Sequence, residues 1–166
     1  MTTETTDDSE FDPTDYDVTI TRTLDAPRER VWEAWTDPEQ VAEWWGPEGF
    51  TVPNCAVDAR ADGEFSIDMQ APDGTIYPNI GEFHEVEEPE RLVFTGRGFE
   101  GEDGSYQLEV RNTVMFEDDG NRTHLELEAE VVSATPVVKD ALGGMEIGWS
   151  QSFEKLQGYL MNPGES

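Results

Sequence analysis

Basic residues are scarce in this chain. Its 166 residues carry 38 Asp and Glu against 10 Lys and Arg, a net charge of −28, and Lys139 and Lys155 are the only lysines. With no basic patch to neutralise phosphates, no nucleic acid is expected as a partner. Cysteine is nearly absent too. Cys55 stands alone, so no internal disulfide can form, which fits a reducing, cytoplasmic location. No apolar run reaches the ~18 residues of a membrane span. The opening stretch MTTETTDDSEFDPTDYD has neither the basic nor the apolar region of a secretory signal. It reads as an acidic, disordered tail over residues 1–15, ahead of a single domain over 16–162.

Sites for chemistry are equally thin. His84 and His124 are the only histidines, and neither sits in an H-x-x-x-H or H-E-x-x-H spacing. A catalytic zinc usually takes three protein ligands, so no metal or other cofactor is expected. There is no G-x-S-x-G, and the acidic GFEGEDG lacks the Gly-Lys-Ser/Thr ending of a phosphate loop. Cys55 has no neighbouring basic residue and reads as a small hydrophobe.

What the chain has in excess is acid, spread along its whole length. That pattern suits a hydrated surface in a salt-filled cytoplasm, a halophilic reading, where screening acts within a few Å. The rival reading is a basic partner. Hydrophobic periodicity then gives the architecture. Residues 17–24 alternate as a strand. Two short helices follow, each opened by proline, in APRERVWEAW and TDPEQVAEWWG. From CAVDARA onward the period is two, through about six strands joined by short turns and therefore antiparallel. EFSIDMQ and HLELEAEVV alternate cleanly, with Leu125, Leu127, Ala129 and Val131 facing in. RLVFTG ends at Gly96, and RGFEGEDGSY reads as a long loop. Last, Val138, Leu142, Met145, Trp149, Phe153, Leu156 and Leu160 step by four and three, one apolar stripe on one long helix. One sheet face is wet, and this helix can cover the other.

Three segments in this order, APRERVWEAWTDPEQVAEWWGP, GTIYPNIGEFHEVEEPERLVFT and GWSQSFEKLQGYL, resemble the SRPBCC (START-like) superfamily. More closely they resemble its branch named for the activator of the heat-shock-protein-90 ATPase. The resemblance spans residues 17–161. It implies an α+β helix-grip fold: a curved seven-stranded antiparallel sheet wrapped around a long C-terminal helix, with two short helices after the first strand. It also implies an apolar cavity between sheet and helix that takes a small hydrophobic molecule. A co-chaperone role, implied by the branch name, stands as a further alternative and is disfavoured, because only the acidic tail stands where the eukaryotic co-chaperone has its partner-binding domain.

On that implied fold the cavity candidates are Trp35, Trp44, Trp45, Phe65, Met69, Tyr77, Phe83, Phe94, Phe116, Met145, Trp149 and Phe153. Adjacent residues on a helix point about 100° apart, so Trp44 and Trp45 divide, Trp44 toward the core and Trp45 as a wall or lid at the cavity mouth. Asn112 shares a strand face with Leu108, Val110, Val114 and Phe116. Glu82 and His84 share one with Ile80 and Val86 unless a bulge reverses it. These three form the polar set for a second reading, an enzyme of the cyclase, dehydratase or hydrolase kind. Glu146 borders the helical stripe. Gly143-Gly144 inside a helix costs about 1 kcal/mol each against Ala, a cost that making room for a ligand would offset. An exposed edge strand makes a homodimer conceivable.

Overall fold

A computed structural model describes residues 13–46, 49–100 and 105–161. Residues 1–12 of the expected tail lie outside them. Pro13–Tyr16 form a 3-10 turn against the last strand rather than a loose end.

The first strand, β1 (Val18–Leu24), leads into two helices that share one residue as hinge. In α1 (Arg28–Thr36) the Pro27 carbonyl accepts from the Arg30 and Val31 N–H groups, so the proline stands at the cap. Asp37 then ends one helix and starts the next. Its backbone N–H donates to the Glu33 carbonyl, and its side chain accepts from the Glu39 N–H at 3.1 Å to open α2 (Pro38–Trp44). A carboxylate there satisfies an orphan donor and meets the positive end of the helix.

Six strands follow: β2 (Thr51–Val57), β3 (Phe65–Gln70), β4 (Ile76–Glu87), β5 (Arg91–Glu100), β6 (Tyr106–Asp119) and β7 (Arg122–Ala134). The sheet order is β1-β7-β6-β5-β4-β3-β2, and every neighbouring pair is antiparallel. The alternation in β7 is as read: Leu125, Leu127, Ala129 and Val131 are buried, and His124, Glu128 and Glu130 are exposed. β5 runs longer than its sequence suggested. Arg97–Glu100 continue the strand, with Gly98 paired to Leu108, so that part of the expected loop is sheet.

The closing helix is not continuous. A 3-10 turn (Pro136–Val138) leads into α3 (Lys139–Gly143), and α4 (Met145–Met161) begins after a break. At the break the Gly144 N–H donates to Ala141, three residues back, while Gly148 N–H reaches Gly144. Two glycines with no side chains to hold the turn make this the cheapest place for the axis to bend. The stripe survives the bend: Val138, Leu142, Phe153, Leu156 and Leu160 are buried.

The core under the curled sheet is in two parts. The larger packs α1, α2 and α4 on the inner faces of the strands. The smaller holds Val131, Val138 and Leu142. Leu108 and Met145 touch both parts.

Candidate functional site

Where the two core parts fail to merge, a cavity of about 700 Å³ opens. That volume suits a drug-sized ligand. Its sheet wall is built by omission. Gly96 and Gly98 on β5 lie opposite Val110 and Leu108 on β6, and all four line it. A Cβ on Gly96 would stand 2.7 Å from the Asn79 side-chain oxygen, whereas one on Gly98 would make only ordinary contact, 3.6 Å from the Pro78 carbonyl. The helix wall repeats the device, with Gly144, Gly148, Met145, Trp149 and Ser152. Ile76, Tyr77, Ile80 and Phe99 also line the cavity, and each is about 40% exposed, an apolar rim open to water.

One end is closed by the turn after α2. Gly46 has φ +100°, a conformation that favours glycine. Helix α4 holds it on both sides: its N–H donates to Ser152 Oγ at 3.1 Å, and its carbonyl accepts from Lys155 Nζ at 3.1 Å. Lys155 also donates to the carbonyls of Trp45 and Phe50. One of only two lysines is thus spent fastening the cavity wall to the long helix.

Of the twelve cavity candidates read from the sequence, Trp45, Met69, Tyr77, Met145 and Trp149 line the cavity. Trp35, Trp44, Phe65, Phe83, Phe94, Phe116 and Phe153 are buried in the core behind it. Trp35 is the hub of this aromatic layer, with ring contacts to Trp44, Trp45, Phe94, Phe116, Trp149 and Phe153. Trp44 is fully buried, and its Nε1 donates to the Ala34 carbonyl at 2.9 Å. Trp45 is a wall and not a lid. The helix ends at Trp44, and Trp45 takes an extended conformation (φ −70°, ψ 141°) that swings its ring inward against Phe65 and Trp149.

The polar candidates separate. Asn112 lines the cavity, 5% exposed, and its Oδ1 has no hydrogen-bond partner. Glu82 and His84 face away, because their neighbour Phe83 turns inward to pair with Phe94. On the outer face Arg97 donates twice to Glu82, at 2.8 Å each, and His84 bonds to the Thr95 hydroxyl. The register shift in β4 falls between Phe83 and Glu85, at His84 itself and after Glu82. The Arg97 hydrogen bonds hold the Glu82 carboxyl below its ordinary value. Glu146 is exposed. Gly143 is exposed as well and does not line the cavity, so the room there comes from Gly144. Burial pushes the Cys55 thiol up, helped by Asp37, and its Sγ–H donates to the Pro38 carbonyl. A protonated, bonded thiol is a packing group and a poor nucleophile.

The lining residues missed by sequence reasoning include small ones, Gly96, Gly98, Gly148 and Ser152, and larger ones, among them Phe50, Ile76, Ile80, Phe99 and Tyr106. No motif announces a space. Among the described residues, no group of three or more His, Cys, Asp or Glu is placed to hold a metal ion. No described helix is long and apolar enough to cross a membrane. A second depression, about 630 Å³, is lined by Arg22, Arg28, His124, Glu90, Glu117, Asp118 and Glu126. Its charges are mixed in sign and converge on no single chemistry.

Known proteins share this construction. A solved protein from Arthrobacter aurescens is 28% identical, with a TM-score of 0.77, covering 93% of this chain and 91% of its own. One from Nitrosomonas europaea is 26% identical, with a TM-score of 0.75, covering 90% of this chain and 97% of its own. The AHSA1 protein of Silicibacter pomeroyi, 23% identical, has the same fold at a TM-score of 0.76 over 89% of this chain and 99% of its own. No curated protein matches. The model of the family described as Activator of Hsp90 ATPase homolog 1-like protein matches residues 25–161, and the chain belongs to that family.

Proposed function

We propose that this protein binds or carries a small hydrophobic molecule in the cavity between the sheet and α4. The observation that carries the reading is the cavity itself: about 700 Å³, walled by aromatic and aliphatic side chains, with an exposed apolar rim. Exposed apolar surface of that kind is a standing cost unless something occupies it. The chemistry of the lining supports binding over turnover. Among its described residues there is no carboxylate, imidazole or ammonium to move a proton, and Glu82 and His84 lie on the other face of the sheet.

Filling the space tests this. Gly98→Leu places a side chain in the cavity where a Cβ meets only the Pro78 carbonyl, at 3.6 Å. The parent should bind Nile red with enhanced, blue-shifted emission. The variant should keep its circular dichroism and lose about tenfold or more in affinity. Equal binding by a folded variant would place the dye elsewhere and end the proposal.

A further inference from the structure

We infer that the ligand is uncharged and carries one hydrogen-bond donor, a hydroxyl or an N–H, that bonds to Asn112. This rests on the cavity-binding reading and adds the polarity of the occupant.

The first observation is the absence of charge. Among the described residues lining the cavity, none is Asp, Glu, Lys, Arg or His. A carboxylate or ammonium entering it would leave water for a site with no counter-charge, a transfer that buried ions avoid unless paired. The net charge of −28 makes this harder for an anion.

The second is one unmade bond. Asn112 Oδ1 is buried without a partner. Its cross-strand neighbours on the same face are Phe94 and Ala129, whose side chains offer no donor. A buried acceptor in that state costs free energy that a donor from a ligand restores. Ser152, the other buried polar side chain of the lining, is already bonded to the Gly46 N–H. Oδ1 itself has almost no open surface, so an entering donor reaches it by turning the amide about its last torsion, which is broad and nearly two-fold.

The third is where Asn112 stands. Along β6 the cavity-lining residues run from Tyr106 and Leu108, half-buried, to Val110 and Asn112, both buried. The rim at the other end is Ile76, Tyr77, Ile80 and Phe99. An amphipathic molecule therefore enters polar end first, its donor on Asn112 and its apolar body along Val110, Gly96 and Trp149 toward the mouth.

Displacement of Nile red by three probes that share a ten-carbon chain separates the possibilities: 1-decanol, decyl methyl ether and decanoate at neutral pH. Decanol should displace the dye at about tenfold lower concentration than the ether, which accepts but cannot donate. Decanoate should be weakest. In Asn112→Leu the dye should still bind, and the gap between alcohol and ether should close. Equal displacement by alcohol and ether in the parent, a lead for decanoate, or a gap that persists in Asn112→Leu each overturns the inference while leaving the cavity-binding reading intact. Failure of the parent to bind Nile red or any of the three probes overturns both. The parent comparison stands by itself if the variant does not fold.

Discussion

Trp44 and Trp45 are adjacent in sequence and differ in what their loss should do. Trp44 is fully enclosed and bonded to a backbone carbonyl. Trp44→Ala should cost about 3–5 kcal/mol, the usual price of deleting a large buried ring. Trp45 already borders empty space, so Trp45→Ala should destabilise less but widen the cavity. Equilibrium denaturation of both variants, with Nile red titration of the second, checks this. On the outer face, Glu82 makes a pH prediction. Arg97 lowers its folded-state pKa beneath the ordinary 4.5. The ion pair therefore stabilises the fold fully above that value, and its contribution is lost as pH falls through the lower folded one. Glu82→Gln should lower stability slightly at neutral pH, flatten the acid limb below 4.5, and converge with the parent in stronger acid, where Glu82 is protonated. Both side chains are partly exposed, so solvent screening keeps the effect small.

The break between α3 and α4 is open around Gly143. A Cβ on Gly143 would meet nothing within 4 Å, and its φ is not positive. Gly143→Ala should therefore raise stability by about 0.5–1 kcal/mol by restricting the unfolded chain, with Nile red binding unchanged. A destabilised variant would show that the bend needs Gly143 itself. This break was not legible in the sequence, where the stripe read as one long helix, but the regular elements were largely so. The alternation of β7 reads plainly because one side of it is wet. The opening of α2 reads plainly because Pro38 suits the first helical turn and either Thr36 or Asp37 before it can cap. The site was legible only in part. Large rings signal burial, but the same signal serves core and cavity, which is why Phe65, Phe83, Phe94 and Phe116 were grouped with Trp45 and Trp149. The space itself is made by Gly96, Gly98, Gly144 and Gly148, and a glycine in sequence does not say whether it turns the chain or leaves room. The inward swing of Trp45 depends on a helix ending one residue earlier than its pattern suggested. The outward facing of Glu82 depends on the pairing of Phe83 with Phe94, a partner eleven residues away.

For the molecule as a whole, charge sets the terms. A net −28 on 166 residues repels itself most strongly in dilute buffer. We propose that the fold needs salt: its thermal midpoint should rise steeply between low and molar KCl, and a flat series would return the acids to the reading of a basic partner. The strand order carries a different consequence, one for folding. From β2 to β7 each strand pairs with its neighbour in the chain, so that six-stranded meander assembles through hairpins. β1 alone pairs across the length of the domain, with Val18 set against Ala129 and Leu24 against Thr123. Such a closure is entropically slow and must wait for the end of the chain. During synthesis the first strand made is thus the last to find its place. The apolar side chains of β1 stay unpaired until β7 leaves the ribosome, and in that interval this acidic chain is most open to wrong partners.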